Sequence, residues 1–210
     1  MANAVAFPGD VVIPGDLRVA GTISPTRDRD EILSQQVLAP FVIPWTDWRV
    51  WDAFATNLPA TPATDDLGLV GGTFGTDPPS IQTGDLSAAG ATSRYARAVI
   101  VLPAEYEAGQ TVVLRFHAGM LTTISDGTAT LDVVAYRSDE ELGLSADLYA
   151  GAAANINSLT FADFDFAITA ATLAPGDVLD VRIVIAISDT VATTAVIGCI
   201  GAAKLLCDIR

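Results

Sequence analysis

A strict apolar–polar alternation in the second half of the chain limits the fold more than any other feature. In DVLDVRIVIAI, residues 177–187, every second side chain from Leu179 to Ile187 is aliphatic, and charged residues lie between the first of them. A period of two is typical of a β-strand with one buried and one partly solvated face. TVVLRFHA at 111–118 and TATLDVVAYR at 128–137 have the same period. The sequence therefore predicts strands at all three places.

Further segments and the turn chemistry extend this prediction to a whole domain. SRYARAVIVLP at 93–103 and VIGCIGAAKLLCDIR at 196–210 also indicate strands, and the turn clusters EAGQ, SDGT and APGD separate strands. Most of the 25 acidic residues are Asp, which favours turns over helix interiors. The long, less periodic segments 60–93 and 138–175 favour jelly-roll or Greek-key wiring. We expect residues 41–210 to form an all-β, antiparallel β-sandwich of this type.

The beginning of the chain has a different pattern. Residues 8–25 divide into three six-residue units, PGDVVI, PGDLRV and AGTISP. One interpretation is that PGD is only a turn before a strand, as in APGDVLDV at 174–181. The other interpretation is one coil of a hexapeptide repeat, which buries nothing alone because repeat folds need several stacked units. Under both interpretations the short strands carry apolar side chains that must be covered, either by the sandwich of the same chain or by other chains. The apolar positions of this predicted N-terminal β-arm, residues 1–25, are Val11, Ile13, Leu17, Val19 and Ile23.

One short helix is predicted between the arm and the sandwich, within TRDRDEILSQQVLAP at 26–40. Asp28 is placed to cap the first turn, Glu31 follows three residues later, and Pro40 ends the helix. The helix is too short to be stable without a packing partner. Three copies of the arm and helix around a threefold axis would cover one another, so we expect a homotrimer. The helix positions in this interface are Ile32, Leu33 and Val37.

The net charge of −14, with Lys204 as the only lysine, argues against two classes of partner. Nucleic-acid binding needs clustered Lys and Arg, and so does docking on anionic lipid. No apolar run approaches the ~20 residues of a membrane span. The N-terminal MANAVAFPGD lacks the basic start and apolar run of a signal peptide. We therefore expect neither a nucleic acid nor a membrane as partner.

Candidate catalytic and metal-binding residues are few. His117 is the only histidine and no GxSxG motif accompanies it, so we interpret it as a surface or interface residue. Acid pairs such as Asp163 and Asp165 lack calcium-loop spacing and are expected to be solvated charge, although a glycan-cleaving carboxylate pair from distant strands stays open. Cys199 and Cys207 are too far apart on one strand for a disulfide, which predicts free buried thiols. We predict no enzyme activity, no cofactor and no metal site.

All three tryptophans lie in WTDWRVW. Trp45, Trp48 and Trp51 are candidate ligand-binding or interface aromatics, because exposed rings stack on sugars and the neighbouring Asp and Arg side chains can bond hydroxyls. The alternative is that these rings plug the sandwich or a subunit interface, where Trp is enriched. Trp48 and Trp51 would point to opposite faces of a strand, so the three rings cannot form one platform.

GDLRVAGTISP at 15–25 resembles the short GDL-x-V-x-GTI strands that are common in trimeric tailed-phage virion proteins, both fibres and head-decoration proteins. The order of β-arm, short helix and terminal jelly-roll is similar to that of capsid cement proteins, which sit as trimers on the shell. The resemblance implies a non-enzymatic virion protein made in the host cytoplasm and bound to the major capsid protein on the outer capsid surface. The alternative is a receptor-binding fibre or spike tip that recognises host glycans through the tryptophans.

Overall fold

The computed structural model describes residues 38–86, 88–122, 127–138, 141–191 and 195–209. These residues contain ten β-strands. In chain order they are β1 Ala39–Val42, β2 Gly68–Val70, β3 Ser80–Gln82, β4 Gly90–Val101, β5 Val112–Met120, β6 Gly127–Ser138, β7 Ala154–Asn155, β8 Ala162–Ile168, β9 Val178–Asp189 and β10 Gly198–Cys207. A 3-10 turn, Trp45–Asp47, is the one helical element among these residues. Nothing helical in the described ranges has the length and apolar character of a membrane span.

The strands form two antiparallel sheets. The larger sheet has the order β2-β3-β10-β5-β8, and β1 also pairs with β10, beyond the end that pairs with β3. The smaller sheet has the order β4-β9-β6-β7. From β3 to β6, and again from β7 to β10, every connection takes the chain from one sheet to the other. This alternation between sheets is jelly-roll wiring, so the predicted antiparallel β-sandwich of jelly-roll type is confirmed.

The alternation in β9 builds one side of the core. Its inward side chains are at most 2% exposed, and they are Leu179, Val181, Ile183, Ile185 and Ile187. Both neighbours pair with β9 without interruption over its full length, so their small residues lie against these aliphatic side chains. Ala96 and Ala98 of β4 and Ala129 and Ala135 of β6 are fully buried there. Small residues beside large ones let the two sheets pack closely.

The facing sheet supplies the other half of the core from β5 and β10. Val112, Leu114 and Phe116 of β5 are buried, as predicted from the period of two, and Met120 at the end of the strand is buried as well. The register of β10 against β5 shifts between Ile200 and Ala202, which is a β-bulge at the intervening glycine. Both sides of the bulge still present buried side chains to the core.

The two cysteines of β10, Cys199 and Cys207, are free and buried, as predicted. Burial raises the pKa of the Cys207 thiol to about 11, and the negative charge of Asp208 adds to the shift. The pKa of Cys199 is also raised by burial. Both thiols are therefore protonated near neutral pH and are poor nucleophiles.

An aromatic cluster fills one end of the core. The ring of Trp48 lies 6.2 Å from that of Phe116, which lies 5.7 Å from Phe166, and Phe166 lies 5.3 Å from Tyr149. Trp48 is only 1% exposed. These separations are in the range at which tilted and edge-to-face ring pairs are favourable.

The predicted arm and helix lie outside the described residues, as do their apolar positions Val11, Ile13, Leu17, Val19, Ile23, Ile32, Leu33 and Val37. The described body begins slightly earlier than the predicted boundary at residue 41, because β1 starts at Ala39. Pro40 lies within β1, paired with Leu206. Proline is tolerated there because β1 pairs on one side only within the described residues.

We expect Trp48→Ala to lower the free energy of unfolding by about 3–5 kcal/mol, because it leaves a cavity beside Phe116. The fully exposed Phe74, in the loop between β2 and β3, provides a matched aromatic control. Phe74→Ala should change stability by less than about 0.5 kcal/mol. Urea unfolding of both variants measures the difference, and similar costs for the two would contradict the placement of Trp48 in the core.

Candidate functional site

The segment after the 3-10 turn carries one tryptophan into the core and the next onto the outer face of the smaller sheet. Arg49 pairs with Arg97 of β4 through two backbone hydrogen bonds of 2.8 and 3.0 Å. The backbone of Tyr95 accepts from Leu67 and donates to Asp65. These contacts cover the free edge of β4 at Tyr95 and Arg97, and Trp51 packs against the outward side chain of Tyr95.

The Trp51 ring is held on three sides. Its centroid lies 5.1 Å from that of Tyr95, and the Arg182 guanidinium lies 5.6 Å from the Trp51 centroid and 5.3 Å from the Tyr95 centroid. The indole N–H donates to Asp65 Oδ2 at 3.2 Å. A guanidinium over two aromatic faces is a cation–π arrangement, and with the indole hydrogen bond it fixes the ring orientation.

Arg97 and Asp180 form a two-bond ion pair beside this cluster. Arg97 Nε donates to Asp180 Oδ1 at 2.6 Å, and Arg97 Nη2 donates to Asp180 Oδ2. The same guanidinium lies over Phe54, and its carbon is 5.1 Å from the centroid of the Phe54 ring. Hydrogen bonding to Asp180 raises the pKa of Arg97 further above its ordinary value, although burial opposes this shift. Fork-to-fork geometry of this kind fixes both side chains.

These residues border a concave surface, which we call the Trp51 groove. It has a volume of about 340 Å³. The lining residues are Trp51, Asp52, Arg97, Tyr136, Leu144, Asp180 and Arg182. The Asp52 side chain is exposed, and Leu144, which is 58% exposed, lies at the end of β6 opposite Ser138. The groove therefore combines two aromatic walls, one aliphatic wall and four charged groups.

Acidic residues also lie behind the groove. Burial raises the pKa of the Asp66 carboxyl, and the charges of Asp65 and Asp52 raise it further. Asp66 Oδ1 is buried without a hydrogen-bond partner. Among the residues that the structure describes, no group of three His, Cys, Asp or Glu side chains is arranged to hold a metal ion.

A second charged cluster lies on the outer face of the larger sheet, across β5 and β8. Arg115 donates two hydrogen bonds to Asp165, at 2.6 and 2.7 Å, and its Nη1 lies 3.6 Å from Asp163. His117 Nδ1 lies 2.8 Å from Asp163 Oδ1. The hydrogen bonds from Arg115 hold the pKa of Asp165 below its usual range. Both acids are solvent-exposed, as the sequence predicts, but they lie on a strand, where they form ion pairs, and not in a loop.

The open edge between the sheets forms a third surface, which we call the edge cleft. It has a volume of about 230 Å³ and lies between β1 and the end of β4. Its lining residues are Phe41, Val42, Ile43, Pro44, Asp47, Val99, Ile100, Val101 and Leu205. Val42 is 73% and Val101 58% exposed. In the described ranges, β1 pairs only with β10 and residues 98–101 pair only with β9.

The three predicted aromatic residues have different surroundings. Trp48 is buried in the core, which agrees with the alternative that this ring plugs the sandwich. Trp45 is half-buried and packs against the core from outside. Trp51 lines the Trp51 groove.

Sequence reasoning did not identify the partners of Trp51. Arg97, Tyr136 and Leu144 complete the groove together with the outward residues of β9, and Tyr95 lies against the Trp51 ring. The available signal was the alternation itself, because Tyr95 and Arg97 occupy successive outward positions of one strand. Nothing in the local pattern indicates that this strand lies beside the Trp51 segment.

No protein-family model matches the chain, and no curated protein matches it. Solved structures show a distant all-β likeness. The CBM22-1 xylan-binding domain from Paenibacillus barcinonensis Xyn10C is 12% identical, with a TM-score of 0.36 over 69% of this chain and 83% of that one. A non-crystalline cellulose specific carbohydrate-binding module, CBM28, is 12% identical, with a TM-score of 0.40 over 76% and 87%. The xylan-binding module CBM15 is 13% identical, with a TM-score of 0.37 over 83% and 99%. Likeness at this level assigns no ligand to this chain.

We expect Asp180→Asn to cost more stability than Asp165→Asn, although both remove a carboxylate from a two-bond arginine pair. The Asp180 side chain is 12% exposed, whereas that of Asp165 is 47% exposed. Loss of the buried carboxylate should cost about 1–3 kcal/mol, toward the lower end because the Arg97 side chain is 35% exposed and water can solvate it. Loss of the exposed carboxylate should cost less than about 1 kcal/mol. Urea unfolding tests the order, and a larger loss for Asp165→Asn would contradict the greater contribution assigned to the buried pair.

Proposed function

We propose that this chain is a non-enzymatic structural protein of a tailed-phage virion. It decorates the outer capsid surface as a homotrimer and binds the major capsid protein. The sequence resemblance at residues 15–25 suggests the class of protein. The structural observation that carries the proposal is the edge cleft, an exposed apolar surface at the open edge between the sheets, where β1 ends.

The edge cleft has the character of a contact between copies of this chain. Val42, Val99 and Val101 expose apolar area, and Asp47 is the only charged residue in the lining. The chain carries a net charge of −14, so two copies repel each other over most of their surfaces. Two copies therefore associate with the least electrostatic repulsion at a surface that carries almost no charge, and there the removal of apolar area from water favours the contact. A second copy is therefore the occupant we propose.

The mechanism is binding without chemistry. Each trimer adds apolar and backbone contacts between its subunits and with the shell below. Interface area shared among several shell subunits raises the free energy needed to separate any one of them. A decorated shell would then resist internal pressure better than a bare one.

The alternative is a receptor-binding fibre or spike tip, and the Trp51 groove is the observation that favours it. Copy number distinguishes the two functions. A decoration protein covers the shell in many copies per particle, whereas a tip is present in few. Quantitative mass spectrometry of purified particles, with the major capsid protein as internal standard, measures this ratio. Few copies per particle would contradict decoration.

We expect the full-length protein to scatter light as a trimer, with three times the chain mass of 21.8 kDa, at micromolar concentration. Val99→Asp/Val101→Asp places negative charge in the edge cleft and should shift the protein toward monomer, because like charges then meet at the contact. Phe74→Asp adds a negative charge at a fully exposed site outside the cleft and should leave the mass unchanged. A monomeric wild-type protein would contradict the proposal.

Deletion of residues 1–25 gives an independent test of the predicted arm. The ten strands lie within 38–209, so the truncated chain should still fold. It should lose trimer formation or capsid attachment. If the truncated protein instead unfolds, the first residues contribute a strand to the sandwich and the PGD units are only turns. If it folds, trimerises and decorates particles as before, the arm is dispensable.

A further inference from the structure

We infer that the Trp51 groove is a binding site for a neutral saccharide. The inference does not depend on the proposed structural role, and it names a ligand class for the groove that favours the receptor-binding alternative. The groove volume of about 340 Å³ lies within the usual range of small-molecule sites. A tryptophan ring, a tyrosine ring and several planar polar groups meet at this groove.

The walls of the groove suit the apolar face of a sugar ring. Trp51 and Tyr136 line it together with Leu144, whose side chain is mostly exposed at its border. The C–H groups of a sugar carry partial positive charge, and the face of an aromatic ring carries partial negative charge. Apolar contact and this electrostatic attraction therefore act in the same direction when a sugar lies against the ring.

The polar groups of the groove suit hydroxyls. Asp52 and Asp180 are acceptors, while Arg97 and Arg182 are donors. A sugar hydroxyl both donates and accepts, so neighbouring hydroxyls can bond a carboxylate and a guanidinium at the same time.

The charge balance selects a neutral ligand. Two arginines and two aspartates line the groove, and their formal charges cancel. An anionic ligand would lie beside two carboxylates and a cationic ligand beside two guanidinium groups, so each would meet repulsion as well as attraction. A neutral, hydroxyl-rich ligand meets no such penalty.

The groove is also rigid before any ligand arrives. Trp51 is fixed by its hydrogen bond to Asp65 and by its contacts with Tyr95 and Arg182. The ion pair with Asp180 fixes Arg97. Side chains that are already ordered lose little conformational entropy on binding, so even a small site can reach measurable affinity.

The test is a titration of the full-length protein with maltohexaose, cellohexaose, laminarihexaose and mannohexaose into the millimolar range. Isothermal titration calorimetry gives affinity, and the part of the intrinsic fluorescence change that Trp51→Ala removes reports on Trp51. We expect at least one hexasaccharide to bind, and Trp51→Ala and Asp52→Ala each to weaken its binding by about tenfold or more. Phe74→Ala removes a fully exposed aromatic ring elsewhere and should bind as the wild type does.

Asp52→Ala keeps the test decisive if Trp51→Ala fails to fold, because the Asp52 side chain is exposed. The absence of binding by all four hexasaccharides would overturn the inference. Binding that survives both groove substitutions would overturn it as well, since the saccharide would then sit elsewhere. Tighter binding of an acidic oligogalacturonate than of any neutral hexasaccharide would refute the assignment of a neutral ligand.

Discussion

The pairing of β9 with β4 on one side and β6 on the other determines both the core and the Trp51 groove. From Leu179 to Ile187 the inward face of β9 is aliphatic, and the outward face carries Asp180 and Arg182. A shift of one residue in register would exchange these faces and place two charges in the core. Burying unpaired charge costs so much free energy that the shifted register is not stable. The groove is therefore as well defined in position as the core behind it.

The segment between β1 and β2 is held in place by the core and by β4. Trp48 is anchored in the core, and the backbone of Arg49 pairs with β4, so the chain emerges over the outer face at Trp51. Here Trp51 meets Tyr95 and Arg182, which two different strands hold in place. A loop residue is thus positioned by residues of the sheet beneath it. This explains how an irregular segment presents a defined surface.

The sequence predicts features that depend on the local alternation, such as the buried face of a long strand. It does not predict features that depend on partners far along the chain, such as short strands and contacts between strands. The inward faces of β5, β6 and β9 follow from their alternation, because side-chain direction in a strand alternates whatever the strand pairs with. The strands β2, β3 and β7 have only two or three residues, too few to show a period, and their distant partners define them. The bond from Arg115 to Asp165 likewise needed the register of β5 against β8. For the groove, the sequence identifies Trp51 as a candidate and places Asp180 and Arg182 on the outward face of a strand, but it does not show that these residues lie close together.

The outward face of β4 connects the two surfaces that carry the proposals. Tyr95 and Arg97 contribute to the Trp51 cluster, and Val99 and Val101 line the edge cleft directly beyond them on the same strand. In a trimer joined at the edge cleft, each subunit contact would have a groove beside it. A saccharide site of this size is weak alone, but repetition on a trimer and across a shell raises its effective affinity without any new contact. Assembly at the edge cleft would thus raise the effective affinity of the Trp51 groove for a saccharide, so the proposed assembly would strengthen the proposed saccharide binding.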